Sequence, residues 1–151
     1  WGWMSAPYLQ AAAMVDREGA VVVASTYAKV GGVYDFGFRH DAERPLESLA
    51  EYCLGCYTNL NFPQRIDMIC KYIDEYQADG LLINSIKSCN SFSAGQLLIL
   101  REVEKRTGKP AAFIESDLVD PRYFSAANVK NRLESYFQMV KAKRVAAAGP
   151  H

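Results

Sequence analysis

The residues of this sequence best suited to chemistry are its four cysteines: Cys53 and Cys56 in "CLGC", Cys70, and Cys89 in "GLLINSIKSCNSFSAGQ". A CxxC pair can cycle between dithiol and disulfide or offer two thiolates to a metal. In the redox form the motif follows a strand and opens a helix, whereas "CLGC" follows the helical "LESLAEY", which argues against thioredoxin-like chemistry. A tetrahedral zinc site needs a second pair at similar spacing, and Cys70 with Cys89 do not supply one. Cys53 and Cys56 therefore read as buried or pocket-lining thiols. Cys70 falls between Ile66 and Ile73 on an apolar helix face, where core packing accounts for it.

Cys89 is different. It stands just past a short apolar run, among Ser88, Asn90, Ser91 and Ser93, and ahead of a helical pattern whose first amide groups would point toward the contents of the loop. It can pack, attack as a nucleophile, or hold a metal cluster. Attack needs a base; His151 is terminal, so only His40 is available, from a distant loop. Cluster ligation needs no base, only companion thiolates, and these would have to come from elsewhere. Glu115, Asp117 and Asp120 gather after another apolar run, where acid–base work competes with turn capping. There is no GxGxxG after a strand and no Walker A sequence, and "GGVYDFG" has the wrong spacing for either, so the chain gives no support for binding nicotinamide or ATP itself.

The elements that must position these groups follow from the pattern. At 151 residues the chain is long enough for one domain with a real core, half of it apolar and 23% charged. Its formal net charge is zero, which argues against a general nucleic-acid surface. No apolar run approaches the roughly 20 residues of a membrane span, and nothing at the N-terminus resembles a signal peptide, so a cytoplasmic chain is expected. "APYLQAAAMVDR" predicts a helix ending at Gly19, and "AVVVAS" (Ala20 to Ser25) a buried strand. The segment Tyr27 to Phe38 is a glycine- and aromatic-rich loop suited to function or an interface. Pro45 opens a short helix; Ile66, Ile69, Cys70, Ile73 and Tyr76 mark an amphipathic one; "GLLIN" is a second strand. "SAGQLLILREVEKRTGKP" is a helix stopped by Gly108 and Pro110, "AAFIES" a third strand, and "AANVKNRLESYFQMVKAKR" a closing helix with Val129, Leu133, Tyr136, Phe137 and Val140 on its apolar face. Strands alternating with helices predict a three-layer, Rossmann-like α/β domain over residues 1–151, with a mostly parallel sheet flanked by helices. Ligands then sit outside the carboxyl ends of the strands, which singles out the loops after Ser25, around Cys89 and after Glu115. The chain opens on a helical pattern without an initiator Met, so it is expected to be the C-terminal domain of a longer subunit.

"DGLLINSIKSCNSFSAGQ", "REVEKRTGKPAAFIESDLVDPRYF" and "NVKNRLESYFQMV", in this order and spacing, resemble the C-terminal domain of the 2-hydroxyacyl-CoA dehydratase and benzoyl-CoA reductase family. The wording of "ESLAEYCLGCYTN" and "DMICKYI" is nearest to the B-type subunits of its ATP-dependent class I reductases. The resemblance implies two Rossmann-like domains per subunit and a 4Fe-4S cluster on three cysteines. Two of these are expected in an N-terminal domain outside this chain, and the third at Cys89. It implies a related second catalytic subunit and ATP-hydrolysing iron–sulfur activator subunits fed by reduced ferredoxin. The substrate is an acyl-CoA: benzoyl-CoA reduced to a cyclic diene thioester in the reductases, or a 2-hydroxyacyl-CoA dehydrated through a ketyl radical in the dehydratases. On this reading His40, Glu115 and Asp117 are candidate proton donors, Ser88 and Asn90 candidate hydrogen-bond donors to cluster sulfurs or substrate, and Lys87 and Arg122 candidate contacts to CoA phosphates. Cys53 and Cys56 are candidates for the cavity lining or for ligation. A reading from another class remains open, a non-catalytic partner-binding domain that uses the Tyr27 to Phe38 loop.

Overall fold

A computed structural model describes residues 14–26, 40–117, 120, 122 and 124–148. Most of the expected first helix and the whole Tyr27 to Phe38 loop lie outside the described residues. The described elements are α1 (Pro45–Leu54), a 3-10 turn (Tyr57–Asn59), α2 (Phe62–Glu75), β1 (Leu81–Ile86), a one-turn helix α3 (Asn90–Ser93), α4 (Gln96–Thr107), β2 (Ala111–Ser116) and α5 (Ala126–Ala148).

The centre is a parallel pair, β1 and β2, registered from Leu81 opposite Ala111 to Ile86 opposite Ser116. Because side chains alternate along a strand, the pair presents two faces, and each is covered. On one face Leu81 and Ile83 pack with Ile66, Met68, Ile69, Tyr72 and Ile73 of α2 and with Ile99 and Val103 of α4. On the other, Leu82, Ala112 and Ile114 meet Val129, Leu133, Tyr136 and Phe137 of α5, together with Val15. The result is the expected three-layer α/β arrangement with a parallel sheet between helices.

Local chemistry sets the ends of these elements. Asn61 and Gln64 form a reciprocal capping box at the start of α2, each accepting the other's backbone N–H. Gly108, with φ of +66°, closes α4 and donates to Glu104 O. Gly80 lies against the hydroxyl of Tyr136, where a Cβ would collide, so the residue before β1 admits the closing helix only as glycine. Burial pushes the Tyr136 phenol up to about 12.

Two expectations are corrected. Residues 20–25 form no strand among the described residues, and Val21 is 82% exposed. Apolar, β-branched composition supplies faces but not a hydrogen-bonding edge, and this segment pairs with neither β1 nor β2. The helix expected from Ser93 starts instead at Gln96. Gly95 is left-handed at φ +71° with the Phe62 ring where its Cβ would be, and this breaks the helical run after the single turn of α3. No helix among the described residues is long and apolar enough to cross a membrane.

Candidate functional site

The parallel register brings the carboxyl ends of β1 and β2 side by side, and the ladder continues past them. Lys87 N–H donates to Ser116 O at 3.0 Å, and Ser116 Oγ donates to Asn84 Oδ1 at 2.7 Å. Asp117, only 3% exposed, then accepts the N–H of Ser88 at 2.8 Å on one carboxylate oxygen and that of Asp120 at 3.1 Å on the other. One buried carboxylate thus holds both strand-end loops. Above it the Lys87 ammonium pairs with Glu115, and Asp120 pairs with Arg122, whose hydrogen bonds hold the Asp120 carboxyl below its usual range.

Cys89 sits in the first of these loops as a free, half-buried thiol. Its N–H donates to Ile86 O at 3.0 Å, turning the chain sharply off β1. Its carbonyl accepts from Ser93 N at 2.9 Å and Ser93 Oγ at 3.0 Å, which closes α3. From the far side Arg65 of α2 donates to Ser91 O at 3.1 Å, to Leu60 O at 2.9 Å and to Thr58 O. Arg65 is 8% exposed, and its guanidinium lies 5.2 Å from the Tyr57 ring centre and 5.7 Å from that of Phe62.

Two clefts flank the Lys87–Glu115 pair. The larger, about 320 Å³, is lined by Ser85, Lys87, Ser93, Gln96, Phe113 and Glu115. The smaller, about 80 Å³, lies toward α5, with Asn128 and Arg132 in its wall. Gln96 is buried, and its Oε1 has no hydrogen-bond partner among the described residues.

The strand ends therefore assemble Lys87, Ser88, Cys89, Glu115 and Asp117, with Asn90 at the first position of α3 and Asp120 and Arg122 close behind. Cys53 and Cys56 belong to a different feature, the end of α1. Cys53 is exposed, its carbonyl accepting from Asn59 Nδ2 at 2.6 Å, and Cys56 Sγ lies 3.5 Å from Tyr52 O as donor. Burial first, and the neighbouring Cys53 second, push the Cys56 thiol up. Cys70 is packed against the α2–α4 core and its thiol is likewise raised, chiefly by burial. His40 lies against the Tyr52 ring of α1, 5.5 Å between centres, and Tyr52 directly precedes Cys53 in that helix.

Among the described residues no group of three or more His, Cys, Asp or Glu could hold a metal ion. The donor set at the strand ends fits one position of a thiolate-ligated cluster, Cys89, whose loop is fixed in direction by backbone bonds. The sequence reading missed Arg65. A charge in an amphipathic helix suggests a solvated face, yet Arg65 directly precedes Ile66 and lies four residues before Ile69, within the stripe that meets the core. Its place in that stripe was the available signal.

Comparison with known proteins points in one direction. The 2-hydroxyglutaryl-CoA dehydratase, D-component, family model matches residues 3–140. The chain is 78% identical over 131 residues to the B-type subunit of benzoyl-CoA reductase from Thauera aromatica, covering 87% of this chain and 30% of that protein. It is 27% identical over 141 residues to the (R)-phenyllactyl-CoA dehydratase alpha subunit of Clostridium sporogenes, covering 93% and 33%. It is 25% identical over 105 residues to the alpha subunit of lactoyl-CoA dehydratase from Anaerotignum propionicum, covering 70% and 25%. The chain thus spans a quarter to a third of the length of these relatives.

Proposed function

The chain belongs to the 2-hydroxyglutaryl-CoA dehydratase D-component family, and we propose that it acts as part of an iron–sulfur catalytic subunit that reduces the ring of benzoyl-CoA. The observation that carries this choice is the 78% identity to a benzoyl-CoA reductase subunit, against 25–27% for the two dehydratase subunits. Cys89 is the residue we assign to a 4Fe-4S cluster, with the companion thiolates on a preceding domain of a longer polypeptide. Such a cluster supplies single electrons at low potential when bound. ATP hydrolysis belongs, on this reading, to separate activator subunits that draw on reduced ferredoxin, and a related second catalytic subunit completes the assembly.

The roles of this chain's own residues follow from their surroundings. The turn at Ile86 and the closure by Ser93 direct the Cys89 thiol from a fixed backbone. Ser88 N–H is committed to Asp117, so what Ser88 retains for a ligand is its hydroxyl. Glu115 faces both clefts with Lys87 beside it, which places it better than buried Asp117 to exchange a proton with a bound molecule. Lys87 and Arg122 are already matched by carboxylates, so a phosphate would have to displace Glu115 or Asp120 to reach either cation.

The second reading, dehydration of a 2-hydroxyacyl-CoA, is favoured by the family description itself. The test is an anaerobic assay of the full-length subunit with its partner subunits, activator, ATP and a strong reductant, offered benzoyl-CoA and a 2-hydroxyacyl-CoA in parallel. Loss of benzoyl-CoA to a diene thioester is the expected result. Dehydration alone would replace the proposal with the second reading. In the same subunit Cys89→Ala is expected to lower iron content, and unchanged iron would refute the ligand assignment.

A further inference from the structure

We propose that Asp117 and Arg65 are positioning residues that clamp the Cys89 loop from its two sides, and that they set the direction and accessibility of the thiol. The inference rests on the assignment of Cys89 as a ligand for its functional meaning, but not for its geometry.

The clamp is visible in the spacing of its contacts. One residue before Cys89, Ser88 N–H is held at 2.8 Å by a carboxylate 29 residues away, on the loop after β2. Two residues after Cys89, Ser91 O is held at 3.1 Å by a guanidinium 26 residues away, on α2. The two anchors come from different elements, one continuing the sheet and one in the helical layer packed on it, so the short stretch between them is tied to two parts of the fold. Both are buried, at 3% and 8% exposure, where an ionised partner makes a hydrogen bond stronger and its loss more costly.

Each anchor also joins the loop to a second segment. The other Asp117 oxygen accepts from Asp120 N–H at 3.1 Å, so the same carboxylate sets the spacing between the two strand-end loops. Arg65 also reaches Leu60 O at 2.9 Å and Thr58 O, and thereby ties the Cys89 loop to the turn that follows "CLGC". With both of its oxygens accepting backbone N–H groups, Asp117 is placed as an anchor. This separates it from Glu115, the other acidic candidate for proton transfer at these strand ends. Arg65 uses its fork on three carbonyls at once, a geometry that a lysine ammonium does not reproduce.

The test is site-resolved alkylation of the full 151-residue chain with iodoacetamide, followed by mass spectrometry, with Cys70 in the α2–α4 core as the internal control. Asp117→Ala and Arg65→Ala are each expected to speed labelling of Cys89 by about tenfold, the change in open population from losing one buried charge-assisted hydrogen bond. Cys70, itself half-buried in the native state, should stay within about twofold of the parent under conditions where the globally unfolded fraction is negligible, if the opening is local. Asp117→Asn, which keeps one acceptor oxygen, should fall between parent and alanine, and Arg65→Lys should resemble Arg65→Ala. An unchanged Cys89 rate overturns the clamp, and so does a parallel rise at Cys70, which would mean general unfolding. Iron content separates this proposal from the ligand reading. In the full-length subunit Asp117→Ala should retain less iron than the parent and more than Cys89→Ser. Full iron in Cys89→Ser would refute the ligand reading while the alkylation result still decides the clamp.

Discussion

Two cysteine-bearing segments of this molecule are built on opposite plans. Cys53 and Cys56 end an exposed helix, and their contacts are local: Asn59 reaches back six residues to Cys53 O, and Cys56 Sγ reaches four to Tyr52 O. Cys89 lies between bonds that span 26 and 29 residues and that come from two other elements. Local bonds shape a turn wherever the helix carries it, whereas long-range bonds place a loop with respect to the sheet. A thiol that must meet a group held jointly with other residues needs the second kind of placement. The paired motif is thus the more conspicuous in sequence, and the single cysteine is the better positioned in space.

The sharpest way to break this contrast is to remove the anchor that separates the two segments. Arg65→Ala leaves three carbonyl groups without their buried donor, and a loss of about 3 kcal/mol is expected in chemical denaturation. The comparison would fail if Arg65→Ala cost no more than a change in the turn around Cys53.

Gly95 tests the same side by a different route. Its φ of +71° and the Phe62 ring at its Cβ position let the chain leave α3 and re-enter a helix at Gln96. Gly95→Ala is expected to cost about 1–3 kcal/mol in the same measurement. A variant of parental stability would mean that the break between α3 and α4 does not depend on glycine there.

Much of this architecture was legible in the chain, and the exceptions share a cause. The strands at 81–86 and 111–116 are short apolar runs bounded by Gly80 and by the Gly108 and Pro110 stop, so composition and punctuation agree. The apolar stripe of α5 appears as read, with Val129, Leu133, Tyr136 and Phe137 buried. The segment 20–25 has the composition of a strand but pairs with neither β1 nor β2 among the described residues, and an edge belongs to a neighbour that local sequence does not reveal. Likewise the position of Cys89 past a strand end was readable, but its anchors were not, because a bond across 29 residues leaves no periodic trace. α1 shows the limit from the other direction. It buries Ser48, whose Oγ accepts Asp41 N–H at 2.7 Å, while Leu46, Leu49 and Leu54 face outward.

On the local side of the comparison the expected effects are smaller. Asn59→Ala removes one exposed side-chain bond to Cys53 O and should cost about 0.5–1 kcal/mol, with no change in the labelling rate of Cys89. A faster Cys89 in this variant would show that the two segments are coupled through the turn Arg65 grips, and the contrast would have to be redrawn as one connected unit.

The smallest effect concerns proton affinity within the CxxC pair itself. Burial raises the Cys56 thiol above the ordinary cysteine range, and the neighbouring Cys53 adds a lesser push in the same direction. A raised thiol favours the protonated form, so reactive thiolate appears only at higher pH and alkylation near neutrality is slow. The pH–rate profile of Cys56 labelling should therefore have its midpoint above that of a free cysteine in a short peptide. Cys53→Ser removes the like-charge contribution but not the burial, so the midpoint should move down without returning fully to the ordinary value. A midpoint at or below that of the free peptide cysteine would contradict burial as the main cause, and a midpoint indifferent to Cys53→Ser would contradict the coupling. If both hold, Cys56, beside the turn that Arg65 grips, is a thiol that burial keeps protonated near neutral pH and that therefore attacks poorly.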